Sequence, residues 1–344
     1  MALCLLAVAD LGLMLVVAGG MAATVDAVAP LTGHLFGIGM AAGIALLVRR
    51  RILALLTVGV AATIGVHAWL GLARCCEAAA PAAATWLTQT AAHGSGGLTV
   101  LSLNTWRTHV DLERVERYLA TAPADVVVLS EFGAASRPML ERLRRTYPNQ
   151  VDCAHEPACS LALLSRSPFA ASGAARIASG KPAFVWARLP GALTIIGTHL
   201  HHPTLDPWLH QAQVTALAQF VRHIDGPLVL AGDLNTSPWS NAFRLLRGAT
   251  GLSPASLLMP SWPAWPVALP QIALDHIFVS PDLGVTAAGT GPAVGSDHLP
   301  VWAHLERQAV PADRHRAPGR RLASSPAAPS PHLGAELLAD LSRE

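Results

Sequence analysis

From Leu98 to Leu305 this chain repeats one pattern: a short run of Val, Leu and Ile stops abruptly on a polar or charged side chain. In order the stops are Leu103-Asn104, Ser130-Glu131, Thr198-His199, Gly232-Asp233-Leu234-Asn235, Leu274-Asp275-His276 and Ser296-Asp297-His298. Short apolar runs bounded this way read as buried strands, so amides, carboxylates and imidazoles collect where strands leave a sheet. One such stop carries little information. Six in order confine the chain to an α/β fold whose strand ends build one polar site. Oxygen ligands for a hard cation, with a carboxylate-steered imidazole beside them, are what metal-assisted phosphoester hydrolysis requires.

Strand and helix signals alternate through this region. Strands are expected at Leu98–Leu103, Asp125–Ser130, Ser160–Ser165, Phe184–Leu189, Leu193–Thr198, Leu228–Ala231, His276–Val279 and Pro300–Leu305. Apolar residues at helical spacing predict helices over about Asp111–Ala120, behind an Asp cap, Arg137–Thr146 and Pro207–His223. Hairpin-like neighbours mixed with βα steps predict sheets that are not purely parallel. Residues 252–271, rich in Ser, Pro and Trp, read as a long loop near the site.

A second unit precedes this domain. The chain is 52% hydrophobic over 344 residues, high for a globular enzyme, and the excess is local. Apolar runs at about 2–20, 31–48 and 52–73 each approach the ~20 residues of a bilayer-spanning helix. The expected organisation is a transmembrane anchor at 1–74, an Ala-rich linker with a Gly-Ser-Gly-Gly stretch at 75–96, a catalytic domain at 97–308 and a disordered Pro-, Ala-, Ser- and Arg-rich tail at 309–344. Arg49, Arg50 and Arg51 lie between the second and third runs, and short basic loops stay cytoplasmic. That orientation puts the domain on the extracytoplasmic side of the cytoplasmic membrane. A cleaved signal peptide is the alternative for the first run, which lacks a basic start and holds Asp10. Cys153 and Cys159 bracket five residues. A disulfide between them suits an oxidising compartment, and a pair of buried free thiols is the other reading.

Within the motifs, residue types separate the informative from the bland. Glu131 closes a buried-strand pattern, and a carboxylate at a core edge persists only when paired or bound to a cation; a metal ligand is the preferred reading over a structural salt bridge. Asn104, taken alone, is as well explained as a turn residue. Asp233 and Asn235 stand two apart after a strand, so in an extended continuation both face one side and can address a single phosphate or water. His298 needs a carboxylate to fix its tautomer. Its neighbour Asp297 would point away in a strand, which leaves Asp275 as the best partner. His199 is a second imidazole at a strand end, whereas His201 and His202 beside it read as exposed loop residues.

The stretches LSLNTW, VVVLSE, LALLSRSP, GTHL, LAGDLNTSP, LDHIFVS and GSDHLPVWAHL together resemble the endonuclease/exonuclease/phosphatase superfamily, over about Leu98 to Leu305. The resemblance implies a four-layer αββα sandwich like that of deoxyribonuclease I, with a divalent-cation site at one end of two sheets. It further implies that Asn104 and Glu131 help hold Mg²⁺ (with Mn²⁺ as a substitute), that Asp297 assists at the metal, and that Asp233 and Asn235 orient the nucleophilic water and the scissile phosphate. His298 would serve as base or transition-state stabiliser, Asp275 would orient it, and His199 would contact the phosphate. One departure stands out: Thr105-Trp106-Arg107 follows Asn104, where many nucleases of the superfamily carry a carboxylate. The pairing with an N-terminal helical anchor is similar to a membrane-bound bacterial branch associated with glycopeptide resistance.

Substrate is argued from context. Nucleic-acid binding leaves a basic face, yet residues 98–308 hold about as many acidic as basic residues and a single lysine, Lys181. A site tethered near a bilayer favours a lipid-linked or other membrane-proximal phosphate, pyrophosphate or phosphodiester. An extracytoplasmic endo- or exonuclease is the alternative within the same chemistry. An inactive membrane-tethered interaction module is the alternative of another class, and it conflicts with the competent residues at every motif.

Overall fold

Each central strand of the domain faces two different cores, and its alternating side chains show why. Val126 and Val128 enter one cluster of buried residues while Val127 and Leu129 enter another. Ile195 and Ile196, Val229 and Leu230, and Ile277 and Phe278 divide in the same way. Neighbouring side chains of a strand point to opposite faces, so a strand covered on both faces reads as an unbroken apolar run.

The structure is a computed structural model. It describes residues 97–107, 111–133, 136–153, 159–177, 183–265 and 272–308, with 26–27, 29–47, 58–59, 62 and 65–66 ahead of them. Twelve strands form two six-stranded sheets. The first contains β1 (Leu98–Asn104), β2 (Val126–Ser130), β3 (Asn149–Asp152), β4 (Leu161–Ser165), β11 (Leu283–Thr290) and β12 (Val301–Arg307), in the order β11-β12-β1-β2-β4-β3. The second contains β5 (Ala171–Arg176), β6 (Ala183–Leu189), β7 (Leu193–His199), β8 (Leu228–Asp233), β9 (Ser253–Pro254) and β10 (Asp275–Val279), in the order β5-β6-β7-β8-β10-β9. Each sheet holds one parallel pair, β1 with β2 and β7 with β8.

Ahead of the domain lies α1 (Thr32–Leu47). Helices α2 (Leu112–Thr121) and α3 (Arg137–Leu143) cover the first sheet through Val115, Leu119, Met139 and Leu140. Helices α4 (Pro207–Val221) and α5 (Asn241–Thr250) cover the second through Val214, Leu217, Phe243 and Leu246. A third cluster lies between the sheets and includes Val100, Val128, Leu163, Ile195, Val229 and Val301. Helix, sheet, sheet, helix is the layering, an α/β two-sheet sandwich.

Local chemistry sets the ends. Asp111 accepts a hydrogen bond from Arg114 N and starts α2, and Asp206 accepts from Trp208 N and Leu209 N to start α4. Helix α3 ends at Leu143, short of the expected Thr146, where Thr146 N and Tyr147 N both turn back to Leu143 O ahead of Pro148. Four strands and one helix go beyond the sequence expectation: β3, β5, β9, β11 and α5. The loop expected at 252–271 carries β9 and a bridge between Trp262 and Ile272.

Cys153 and Cys159 are joined as a disulfide, with Cα atoms 5.7 Å apart. Of the three apolar runs, the second is seen as α1, 16 residues long. Among the described residues no helix is long and apolar enough to cross a membrane. The first run, most of the third, the 75–96 linker and the 309–344 tail lie outside the described residues.

Candidate active site

The two parallel pairs bring four strand ends together. In register, Asn104 lies beside Ser130 in one sheet and His199 beside Asp233 in the other. The Asn104 side chain crosses between the sheets: its Nδ2 donates to Glu131 Oε1 at 3.1 Å and to Asp233 Oδ2 at 2.9 Å. Its Oδ1 accepts from Trp106 N at 2.9 Å. His199 Nε2 lies 3.5 Å from Asp233 Oδ2, and His298 Nε2 lies 4.0 Å from the same oxygen. Asn104, Glu131, His199, Asp233, Asn235, Asp275 and His298 therefore form one connected group, with Asp297 joined to it by the chain at His298.

Asp275 and His298 form the tightest pair. Asp275 Oδ2 and His298 Nδ1 are 2.7 Å apart, and the carboxylate is fully buried. Burial pulls the His298 imidazole down, but Asp275 against it, helped by Asp233 and Asp297, outweighs burial and pushes its pKa up to about 10. Burial raises the Asp275 carboxyl, and contact with His298 reverses the direction, leaving it below the usual carboxylate range. Asp233 shifts upward, first because it is buried and next because Asp275 is close. A carboxylate with a raised pKa beside an imidazolium is an acid–base arrangement of the kind active sites build.

Two geometric expectations are met differently than in an extended chain. Asn235 departs from strand conformation at φ 47°, and its backbone N–H donates to Asp233 Oδ1 at 2.9 Å. Its side-chain amide donates to Leu200 O at 2.9 Å and meets His199 Nε2 at 3.3 Å. Asp297 and His298 lie in a loop ahead of β12, and His298 reaches the remote Asp275 from there. Left-handed backbone marks the site: Trp106, Glu131 and Asn235 hold φ near +50°, with Ala192 as the fourth such non-glycine residue among those described. Strained conformations of this sort concentrate where side-chain aim matters.

Gly232 shows how closely the strands must approach. At φ +147° a Cβ here would stand 1.8 Å from Thr198 O, so only glycine keeps His199 and Asp233 in register. Ser296, Ser261, Trp106 and Trp262 make supporting contacts that the motifs did not assign. Ser296 Oγ donates to Asn104 O at 2.7 Å and accepts from His298 N at 3.0 Å, tying the β12 loop to β1. Ser261 Oγ accepts from Asp275 N at 3.3 Å. Trp262 Nε1 donates to Asp297 Oδ2 at 3.4 Å. The Ser of Gly-Ser-Asp-His was the one signal available in the sequence.

The donor chemistry suits a hard cation. Ligand atoms of Glu131, His199 and Asp233 lie within 4.8 Å of one another, as do those of Asp233, Asp275 and His298. Asp297 Oδ1 is buried with no hydrogen-bond partner, and the Glu131 carboxylate is close enough to raise the Asp297 pKa, an effect smaller than that of burial. Two like-charged carboxylates with a bare oxygen between β2 and the β12 loop form a setting that a divalent ion would relieve. Beside Glu131 opens a cavity of about 210 Å³ lined by Arg107, Arg137 and Ser160 among others.

A two-sheet sandwich whose paired strand ends present carboxylates, amides and a carboxylate-held imidazole is the scaffold of a phosphoester hydrolase. Residues 101–298 match the Endonuclease/Exonuclease/phosphatase family, and the chain belongs to it; members of that family hydrolyse phosphoesters and depend on divalent metal. Among solved structures it is similar to an endonuclease/exonuclease/phosphatase from Bacteroides vulgatus, at 16% identity and TM-score 0.53, covering 62% of this chain and 99% of that one. It is similar to D. rerio TDP2 complexed with single-strand DNA product, at 16% identity and TM-score 0.52, covering 61% and 99%. At these identities the likeness is one of fold. A lipid-A-disaccharide synthase from Synechocystis is 41% identical over 76 residues, which span 21% of this chain and only 18% of that protein.

Proposed function

We propose that this protein is a membrane-anchored, divalent-metal-dependent phosphoester hydrolase of the extracytoplasmic face, acting on a lipid-linked or other membrane-proximal phosphate, pyrophosphate or phosphodiester. The observation that carries the chemistry is the Asn104 amide joining Glu131 of one sheet to Asp233 of the other. Mg²⁺ or Mn²⁺ held by Asn104, Glu131 and Asp297 would neutralise charge on the phosphoryl oxygens. Asp233 orients the attacking water in line with the scissile bond, its own position fixed by Asn104 and Asn235 N. His298, cationic through its contact with Asp275, stabilises charge developing on the phosphoryl group and acts less well as a base. His199, held by Asn235, contacts the phosphate.

Location rests on the anchor runs, on Arg49–Arg51 between the second and third of them, and on the Cys153–Cys159 disulfide, a bond suited to an oxidising compartment. Balanced acidic and basic residues argue against a polyanion-binding face. The deciding assay presents full-length protein with a lipid pyrophosphate, a sphingomyelin-like diester and single- and double-stranded DNA, with and without divalent metal. Metal-dependent hydrolysis of a lipid substrate is expected. Efficient, salt-sensitive DNA cleavage with no lipid phosphate release would install the nuclease reading instead. A reporter active only after export should work when fused after Leu305 and be silent after Arg51, and the reverse pattern would remove the envelope substrate.

A further inference from the structure

The ends of the domain and its site lie at opposite poles. Leu98, where the chain enters β1, pairs with Leu305 near the exit of β12, whereas the site begins at Asn104, the far end of β1. A strand of seven residues is ~20 Å long. A domain tethered only by residues 75–96 would hang from its entry pole with the site turned away from the anchor, and 22 residues can reach ~70 Å, leaving the orientation free.

A second contact removes that freedom. Asp26, which is 4% exposed, accepts hydrogen bonds from Asn241 N at 2.6 Å and Ala242 N at 2.7 Å. Ser240 Oγ takes Phe243 N at 3.0 Å, so the first three N–H groups of α5 are all satisfied, two of them by a residue 215 positions earlier in the chain. A carboxylate is the favoured partner at a helix N-terminus. Helix α5 starts just after the Asp233–Asn235 segment, at the site's own pole. Asp26 lies six residues before the start of α1, and six residues span at most ~20 Å. The segment between the first and second apolar runs thus grips the domain beside its active site.

At that same pole large apolar side chains stand in solvent. Leu205 is 77% exposed and Trp208 65%, both in the stretch from the end of β7 into the first turn of α4. Trp265, 61% exposed, packs on Trp106, whose N–H is bonded to Asn104. Indole rings prefer the headgroup level of a bilayer, and these side chains lie on the segments that leave the site, after His199 and beside the Trp262 that bonds Asp297.

We infer that Leu205, Trp208 and Trp265 form a bilayer-docking rim, and that Asp26 turns the mouth of the site onto the membrane carrying the anchor. This rests on the membrane-anchored reading above and adds to it the face presented and the residues presenting it. The substrate is then a phosphate in the headgroup layer of that bilayer, entering without leaving it.

The test uses full-length protein in vesicles of phosphatidylcholine and phosphatidylglycerol with brominated acyl chains. Bromine should quench the wild type more than the Trp208→Phe/Trp265→Phe variant, the difference reporting rim tryptophans seated in the bilayer interface within reach of the brominated chains. Asp26→Asn should reduce that difference and slow hydrolysis of a vesicle-borne phosphoester at least about fivefold, while hydrolysis of soluble bis(p-nitrophenyl) phosphate stays within twofold. Equal quenching in wild type and the tryptophan variant would overturn the proposal, as would rim tryptophans quenched by single-stranded DNA and not by lipid. Absence of any hydrolysis would strike the enzymatic reading alone, because the quenching difference decides the orientation by itself.

Discussion

Glu131 meets two demands at once. It terminates a strand with φ 53° and places its carboxylate within reach of the Asn104 amide and the Arg107 N–H. Asp233 lies across the sheet interface and is almost wholly buried. Glu131→Gln keeps the shape but removes the charge a cation needs, and Asp233→Asn replaces the carboxylate that steers water by a neutral amide with one acceptor oxygen fewer. Each variant should lose roughly 100-fold or more in turnover with an unchanged thermal melt, measured on a soluble phosphodiester at saturating Mg²⁺. Near-wild-type turnover in either would dismiss the assignment. At this scale the Asp275–His298 pairing was the most legible, because an imidazole needs a carboxylate to fix its tautomer and the adjacent Asp297 was expected to point away. For Glu131 the need of a charge at a core edge for a partner was legible, and the Asn104 amide is one such partner. Trp106 and Ser261 were illegible, and Ser296 showed only as a member of Gly-Ser-Asp-His, since their contacts depend on chain segments brought together only by the fold.

Elements were legible where they are buried twice. The runs forming β1, β2, β4, β7, β8 and β10 are apolar on both faces, and β12 is nearly so, because each lies between a helix layer and the opposite sheet. Strand β5 (ASGAAR) and strand β11 (LGVTAAGT) carry Ala and Gly in place of an apolar run and sit at sheet edges, so neither periodicity nor composition announced them. Helix α4 carries a testable burden. His210 lies on its buried face with Nε2 3.2 Å from Leu234 O, between Asp233 and Asn235 in sequence, and burial lowers its pKa to about 4. In the unfolded chain it takes up a proton near 6.5, so below that pH the unfolded state binds more protons and the fold loses stability until about pH 4. Stability present at pH 7 should fall by about 2 kcal/mol more at pH 5 in the wild type than in His210→Gln, as read from urea denaturation. Parallel slopes in the two proteins would mean that the imidazole is protonated when folded.

Across the whole molecule, the chain builds the second sheet as one uninterrupted stretch, β5 to β10, inserted between the two portions of the first. The site is shared between both, so catalytic competence requires each sheet to be complete and the two to be packed. The insertion also leaves β1 and β12 side by side as antiparallel neighbours, Leu98 opposite Leu305. Chain order and spatial order are therefore separable: what the sandwich needs is adjacency of its ends, and covalent continuity at that point is incidental. A circular permutant joining residue 308 to residue 97 through a short glycine-serine bridge, with new termini opened at the exposed Asp225–Gly226 turn, should fold and retain soluble phosphodiesterase activity within about tenfold. Freed from its entry strand, such a permutant could take an anchor at the turn before β8, and the position of attachment becomes a variable that evolution or design can move around the sandwich without redrawing its topology.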